Sequence, residues 1–132
     1  MLLQQGQLEL QNAQLTYLEG LYFGLFVTNL TITPTTSNAA VTGAEAAWTG
    51  YARQTIASWP PASTVSGTAV TAPTTLLTFA NSSGSAQTFY GWFAINPTSG
   101  NVVAATNIGP QTVPPSSNYS FSVSCSDVNT GP

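Results

Sequence analysis

The sequence predicts an all-β protein, an antiparallel β-sandwich or barrel with a short N-terminal helix or arm. Three observations point there. Short apolar stretches rich in aromatic and β-branched residues are separated by turns of Gly, Pro, Asn and Ser. Tyr119, Phe121, Val123 and Cys125 alternate with four serines, the period of a half-buried strand. Helical spacing is confined to the first 19 residues. A chain of 132 residues fits one core, and a 42% hydrophobic content can fill it. The expected division is an arm or helix over residues 1–19 and a β-sandwich domain over 20–132.

Within 1–19, Leu8, Ala13, Leu15 and Leu18 fall at roughly helical spacing and Gly20 is a suitable stop, so a helix is expected over about 7–19. Leu21–Thr28 reads as a buried strand and Thr31–Ala40, with Pro34 and Asn38, as a loop. A strand is expected over about Tyr51–Ser58, ended by Pro60 and Pro61, which cannot donate to a ladder. Val65 to Gly67 reads as a turn, and a strand lies somewhere in Ala69–Phe79. Asn81–Ser85 is a turn, Gln87–Ile95 an aromatic-rich strand, Asn96–Asn101 a second turn and Val102–Thr106 a strand. Gly109, Pro110, Pro114 and Pro115 mark a loop, and the tail from Val128 reads as frayed.

Only 4% of residues are charged, against roughly 25% in ordinary domains. The full set is Glu9, Glu19, Glu45, Asp127 and Arg53, and there is no His or Lys. Low charge raises the possibility of a membrane protein, but the apolar run Leu21–Val27 is far below the roughly 20 residues a spanning helix needs. A signal peptide is not expected either, because no basic residue precedes an apolar stretch and Gln4, Gln5 and Gln7 interrupt it. Disorder is disfavoured by three Trp, five Tyr and six Phe.

Enzymatic activity is not expected. Proton transfer needs titratable groups in reach of a substrate, and the carboxylates are scattered, with Glu9 and Glu19 ten residues apart. A Ser nucleophile would lack an activating base, no cluster of His, Cys and carboxylates suggests a metal, and no cofactor motif occurs. One Arg cannot supply the phosphate contacts that nucleic-acid binding requires. The sequons at Asn29, Asn81 and Asn118 are what chance gives in a chain this rich in Asn, Ser and Thr. Cys125 reads as a small buried residue. Water contact must fall to hydroxyls and amides, with Ser and Thr about a quarter of the chain. Such a surface can be covered by neighbours without stranding charge.

The informative motif is Gly50-Tyr51-Ala52-Arg53-Gln54. A guanidinium presents five donors in a fixed fork, so Arg53 is read as a structural pin for loop carbonyls and a carboxylate, with Glu45 the nearest candidate and Gln54 a possible extension. The Leu21-Tyr22-Phe23-Gly24-Leu25-Phe26 stretch, Glu45, the Gly50–Gln54 block, Tyr90–Ile95 and Ser99-Gly100-Asn101 together resemble the small virion structural proteins of tailed bacteriophages, over roughly residues 8–126. Trp48 and Thr49 stand where that family carries glycines, and the N-terminal segment lacks its basic and aromatic residues.

That family includes head decoration, minor structural and tail-fibre proteins, so the resemblance implies a virion component. The leading expectation is a capsid decoration, or cement, protein on the outer surface of the capsid. It would bind several major capsid protein subunits and self-associate, as a trimer over a local three-fold. Its N-terminal segment, with Leu2, Leu3, Leu8, Leu10 and Leu15, would be the interface arm, and Trp48, Trp59 and Trp92 are candidate anchors, though core positions suit each Trp better. The alternatives are a tail-fibre or receptor-binding module and, less favoured, a neutral β domain of a cell surface.

Overall fold

A computed structural model of the chain describes residues 9, 12–13, 16–56, 63–65, 68–70 and 75–123. The described part of the N-terminal segment is helical at 9, 12–13 and 16–19 and stops at Gly20, whose N–H bonds Tyr17 O at 3.1 Å. Leu18 packs against the core that follows. The remaining elements are β1 (Tyr22–Phe26), α1 (Asn38–Thr42), β2 (Gln54–Thr55), β3 (Ser63–Val65), β4 (Thr68–Val70), β5 (Thr75–Asn81), β6 (Gln87–Ile95), β7 (Val102–Val113) and β8 (Ser117–Val123).

All pairings are antiparallel. One sheet has the order β2-β1-β6-β7, a second pairs β5 with β8, and β3 and β4 form a separate hairpin. Among the described residues no strand pairs with the outer side of β2 or β7, so the architecture is a sandwich and not a closed barrel.

Alternation along β1 and β6 sends side chains to two buried faces. Phe23, Leu25, Phe89 and Ala94 face Leu77 and Phe79 of β5, with Tyr119 and Phe121 of β8 packed against them. Phe26, Phe93 and Ile95 take the opposite face, which the chain between β1 and β2 covers with Leu30, Ile32, Val41 and Ala44. Five of the six Phe are wholly or nearly buried, each removing about 1.5–3 kcal/mol of apolar exposure. On this second face each glycine lies opposite a phenylalanine, Gly24 against Phe93 and Phe26 against Gly91. A Cβ at Gly24 would sit 2.5 Å from Phe93 Cζ, and one at Gly91 would strike Phe26 Cζ and Thr106 O. The rings lie over the space that side chains would otherwise fill.

Neutral amides make the ties that ions make in most proteins. Asn81 is buried, and its Nδ2 donates to the carbonyls of Ser85, Val113 and Pro114 at 3.0–3.1 Å while Oδ1 accepts from Ser83 N and Oγ. It joins the β5–β6 turn to the β7–β8 corner. Asn107 donates to Asn29 Oδ1 and Leu30 O, and Asn38 donates to Asn101 Oδ1 and accepts from Val102 N, so the covering segment is held to β7 at two points.

Four expectations need correction. The 31–40 loop contains the start of α1, because Ser37 caps it by accepting the Ala40 N–H at 3.1 Å. The strand expected over Tyr51–Ser58 is only Gln54–Thr55 among the described residues, since Tyr51–Arg53 leave the sheet. Ala69–Phe79 is divided between β4 and β5. β7 does not stop at Thr106 but continues to Val113 through an irregularity at Ile108–Pro110, where Gly109 has φ +78°. Pro110 is tolerated because β7 is terminal in its sheet.

Candidate functional site

The site grows from an interruption in the strand that edges β1. Residues 44–46 run antiparallel to 25–27: Val27 N donates to Ala44 O, Ala46 N to Leu25 O, and Phe26 bridges Glu45. Pairing resumes at Tyr22 and Thr55. Between Phe26↔Glu45 and Tyr22↔Thr55, β1 advances four residues and its partner ten, so six residues are in excess. The excursion carries Trp48, Gly50, Tyr51 and Arg53.

Two anchors fix its outer part. Trp48 Nε1 donates to Ala80 O at 2.8 Å, and Ser82 N donates to Thr49 O at 2.8 Å, tying the loop to the end of β5. Gly50 has φ +90°, and a Cβ there would lie 2.5 Å from Ser82 Oγ and 2.9 Å from Ser82 N. Glycine is required on both counts.

Tyr51 then turns inward to fill the gap in the edge. Its hydroxyl accepts the Leu25 N–H at 3.0 Å and donates to Glu45 Oε1 at 2.9 Å. The phenol takes the place of a missing strand partner for β1. Its ring stacks on Phe79 at 6.0 Å and meets Trp48 edge-on at 5.5 Å. Arg53 closes the excursion with a bidentate grip on the same carboxylate, Nε to Oε1 at 2.8 Å and a terminal nitrogen to Oε2 at 2.7 Å. Its guanidinium carbon lies 5.6 Å from the centre of the Phe93 ring. Gly24 makes room for the arrangement, since a Cβ there would lie 2.7 Å from the Tyr51 hydroxyl.

The electrostatics follow from this geometry. Burial, with the adjacent Glu45 carboxylate adding to it, pushes the Tyr51 phenol well above the usual tyrosine range. The hydrogen bond to Glu45 raises Arg53 further above its ordinary value. Tyr51 is held neutral and Arg53 charged, and both oxygens of Glu45 accept from them. The arrangement does the chemistry of a clasp: it fixes a loop to two strands.

Of the residues singled out in the sequence, Glu45, Tyr51 and Arg53 come together, and Gly50 shapes the loop that presents them. Gln54 does not extend the network; its Nε2 donates to Ala52 O at 2.9 Å. Trp48 and Trp92 pack partly buried against the core, so neither stands out as a free anchor. Leu2, Leu3, Leu8, Leu10, Leu15, Trp59 and Cys125 lie outside the described residues. Sequence reasoning missed the tyrosine's part in sealing β1 and the amide ties at Asn38, Asn81 and Asn107. For Asn81 the signal was its place between the apolar run Leu76–Ala80 and a Ser-Ser-Gly-Ser turn.

No protein-family model, curated protein or solved structure matches the chain.

Proposed function

We propose that the protein is a capsid decoration, or cement, protein of a tailed bacteriophage, bound to the outer surface of the head shell and in contact with several major capsid protein subunits. One observation carries the reading. The only Lys or Arg of the chain is turned onto its own Glu45, and the exposed described residues are mostly Ser, Thr, Asn, Ala, Gly and Pro. Covering such a surface strands no buried charge, whereas covering an ionic one costs several kcal/mol per unpaired ion. A molecule that works by being covered gains from this composition, and one that must stay dispersed at high concentration does not.

The family resemblance of the Gly50–Gln54 block and its upstream Glu45 supports the same reading, and the clasp gives that block a physical purpose. It makes the sandwich rigid where the chain leaves the sheet, so a docking surface is presented without ordering cost on binding. Self-association on the shell would add avidity by raising the effective concentration of each contact.

The test is the copy number of the protein in purified virions, read from a stained gel against the major capsid protein. Copies comparable in number with the shell subunits support the decoration role. A few to a few tens of copies would move the protein to the tail, as a fibre or receptor-binding module, and absence from the particle would overturn the virion reading.

A further inference from the structure

Residues 28–43 leave the sheet after β1 and return just before Glu45. The two ends of this excursion are pinned together, since Val27 N donates to Ala44 O at 2.8 Å. Sixteen residues with a closed neck make an Ω-loop. Its hydrogen bonds are mostly its own. Thr36 N donates to Thr33 O, Thr33 N to Thr36 Oγ1, and Gly43 N to Ala39 O at the end of α1. Among the described residues no backbone–backbone bond joins 28–43 to a strand. Beyond its root at Ala44 and Glu45, every hydrogen bond it makes to the rest of the described chain runs through one of two side-chain amides. Asn38 donates to Asn101 Oδ1 at 3.0 Å and accepts the Val102 N–H at 2.9 Å. Asn107 donates to Asn29 Oδ1 at 2.8 Å and to Leu30 O at 2.7 Å.

The loop covers its own small core. Leu30, Ile32, Val41 and Ala44 pack with Phe26, Phe93 and Ile95, apart from the larger core between the sheets that holds Phe23, Leu25, Leu77, Phe79 and Phe89. Lifting the loop therefore leaves the larger core intact. The seat on β7 is loose, because Ile32, Thr33, Pro34, Thr36 and Val41 stand across an open groove of about 350 Å³ from Val102–Ala105. The root is firm. Ala46 N donates to Leu25 O, and Tyr51 and Arg53 grip Glu45 beside it. A segment with few bonds to the sheet, mostly exposed residues and a fixed root has the features of a unit that opens before the whole.

We infer that residues 28–43 are a cover that opens as one piece about the Val27–Ala44 neck, with Asn38 and Asn107 as its two latches, baring Phe26, Phe93 and Ile95 while the sandwich stays folded. The open form is a minor state of the native protein, and the latches set how much of that apolar face it shows. The inference concerns the isolated chain and does not depend on the virion reading.

Native-state amide exchange of the full chain in low urea tests it. Val41 and Gly43 report on the cover and Val102 on the Asn38 latch, with the amides of β1 and β6 as the reference. In the wild type the three reporters open with one common free energy, below that of the reference. They also share one urea slope, which is above zero because apolar surface is bared and below the global slope because only one face is. Asn107→Ala, which releases the Asn29 end, speeds exchange at Val41 and Gly43 at the other end about tenfold and leaves the reference unchanged. Asn29→Ala, which leaves β7 untouched, speeds them about threefold. Reporters that open only with the reference, or with no urea slope, would overturn the inference. So would Val41 and Gly43 amides indifferent to both variants, or reporters and reference sped alike.

Discussion

Tyr51→Phe removes one oxygen and leaves the ring. Phenylalanine retains the stack on Phe79 and the edge contact with Trp48, so little apolar burial is lost. What goes is the acceptor for the Leu25 N–H and the donor to Glu45. Leu25 is 0% exposed, and an unsatisfied buried donor costs about 1–3 kcal/mol. Glu45 keeps its two bonds from Arg53, and its side chain is 17% exposed, so losing the phenol adds less, about 0.5–1 kcal/mol. The total is about 1.5–4 kcal/mol, which lowers Tm by roughly 5–16 °C in a domain of this size. Arg53→Ala removes a grip whose side chain is 33% exposed, where solvent screening leaves about 0.5–1.5 kcal/mol. The buried neutral hydroxyl therefore outweighs the visible ion pair. Urea denaturation followed by tryptophan fluorescence reads both values, since Trp48 rests on Tyr51. Tyr51→Phe within 0.5 kcal/mol of wild type, or costing less than Arg53→Ala, would refute the reasoning.

The same structure sets three further expectations. Asn81→Ala leaves the carbonyls of Ser85, Val113 and Pro114 and the Ser83 N–H without their partner, and should cost about 3 kcal/mol or more by chemical denaturation. Gly50→Ala places a Cβ at φ +90° and against the Ser82 backbone, and should cost about 1–3 kcal/mol, with Thr49–Tyr51 the first region to gain amide exchange. Alkaline stability should depend on Tyr51. Its folded pKa lies above the unfolded value of 10.0, so its contribution is complete below pH 10 and is lost as pH rises, because the unfolded chain releases the proton first. The loss should approach about 1.4 kcal/mol per pH unit above pH 10, and Tyr51→Phe should lack that component in a denaturation series between pH 9 and 11.

Elements with a strong period were legible. Gln87–Ile95 is a strand over the expected residues, and the alternation of Tyr119 and Phe121 with serines places both rings on the core and Ser120 and Ser122 outside. Elements governed by tertiary context were less so. Gly109 and Pro110 read as a loop because local chemistry says that they break a strand, but an edge tolerates both. Residues 51–53 read as strand because Tyr51 suits one, while the six-residue excess that throws them out of the sheet is set by where Glu45 and Thr55 pair with β1. The sole basic residue and a carboxylate eight positions upstream made the Arg53–Glu45 tie readable. That Tyr51 would complete β1 was not, because it depends on the ladder gap and on the space left by Gly24. Ser37 ahead of Asn-Ala-Ala-Val was a legible cap, masked by Pro34 and Asn38 in a stretch read as loop.

The decoration role proposed above is tested most directly by the affinity of the purified protein for phage head shells built of the proposed partner, a major capsid protein, at about 50 and 500 mM salt. Contacts made through hydroxyls, amides and rings predict dissociation constants that agree within about twofold across that range. An affinity that falls tenfold or more at the higher salt, or no binding to shells at all, would contradict the account.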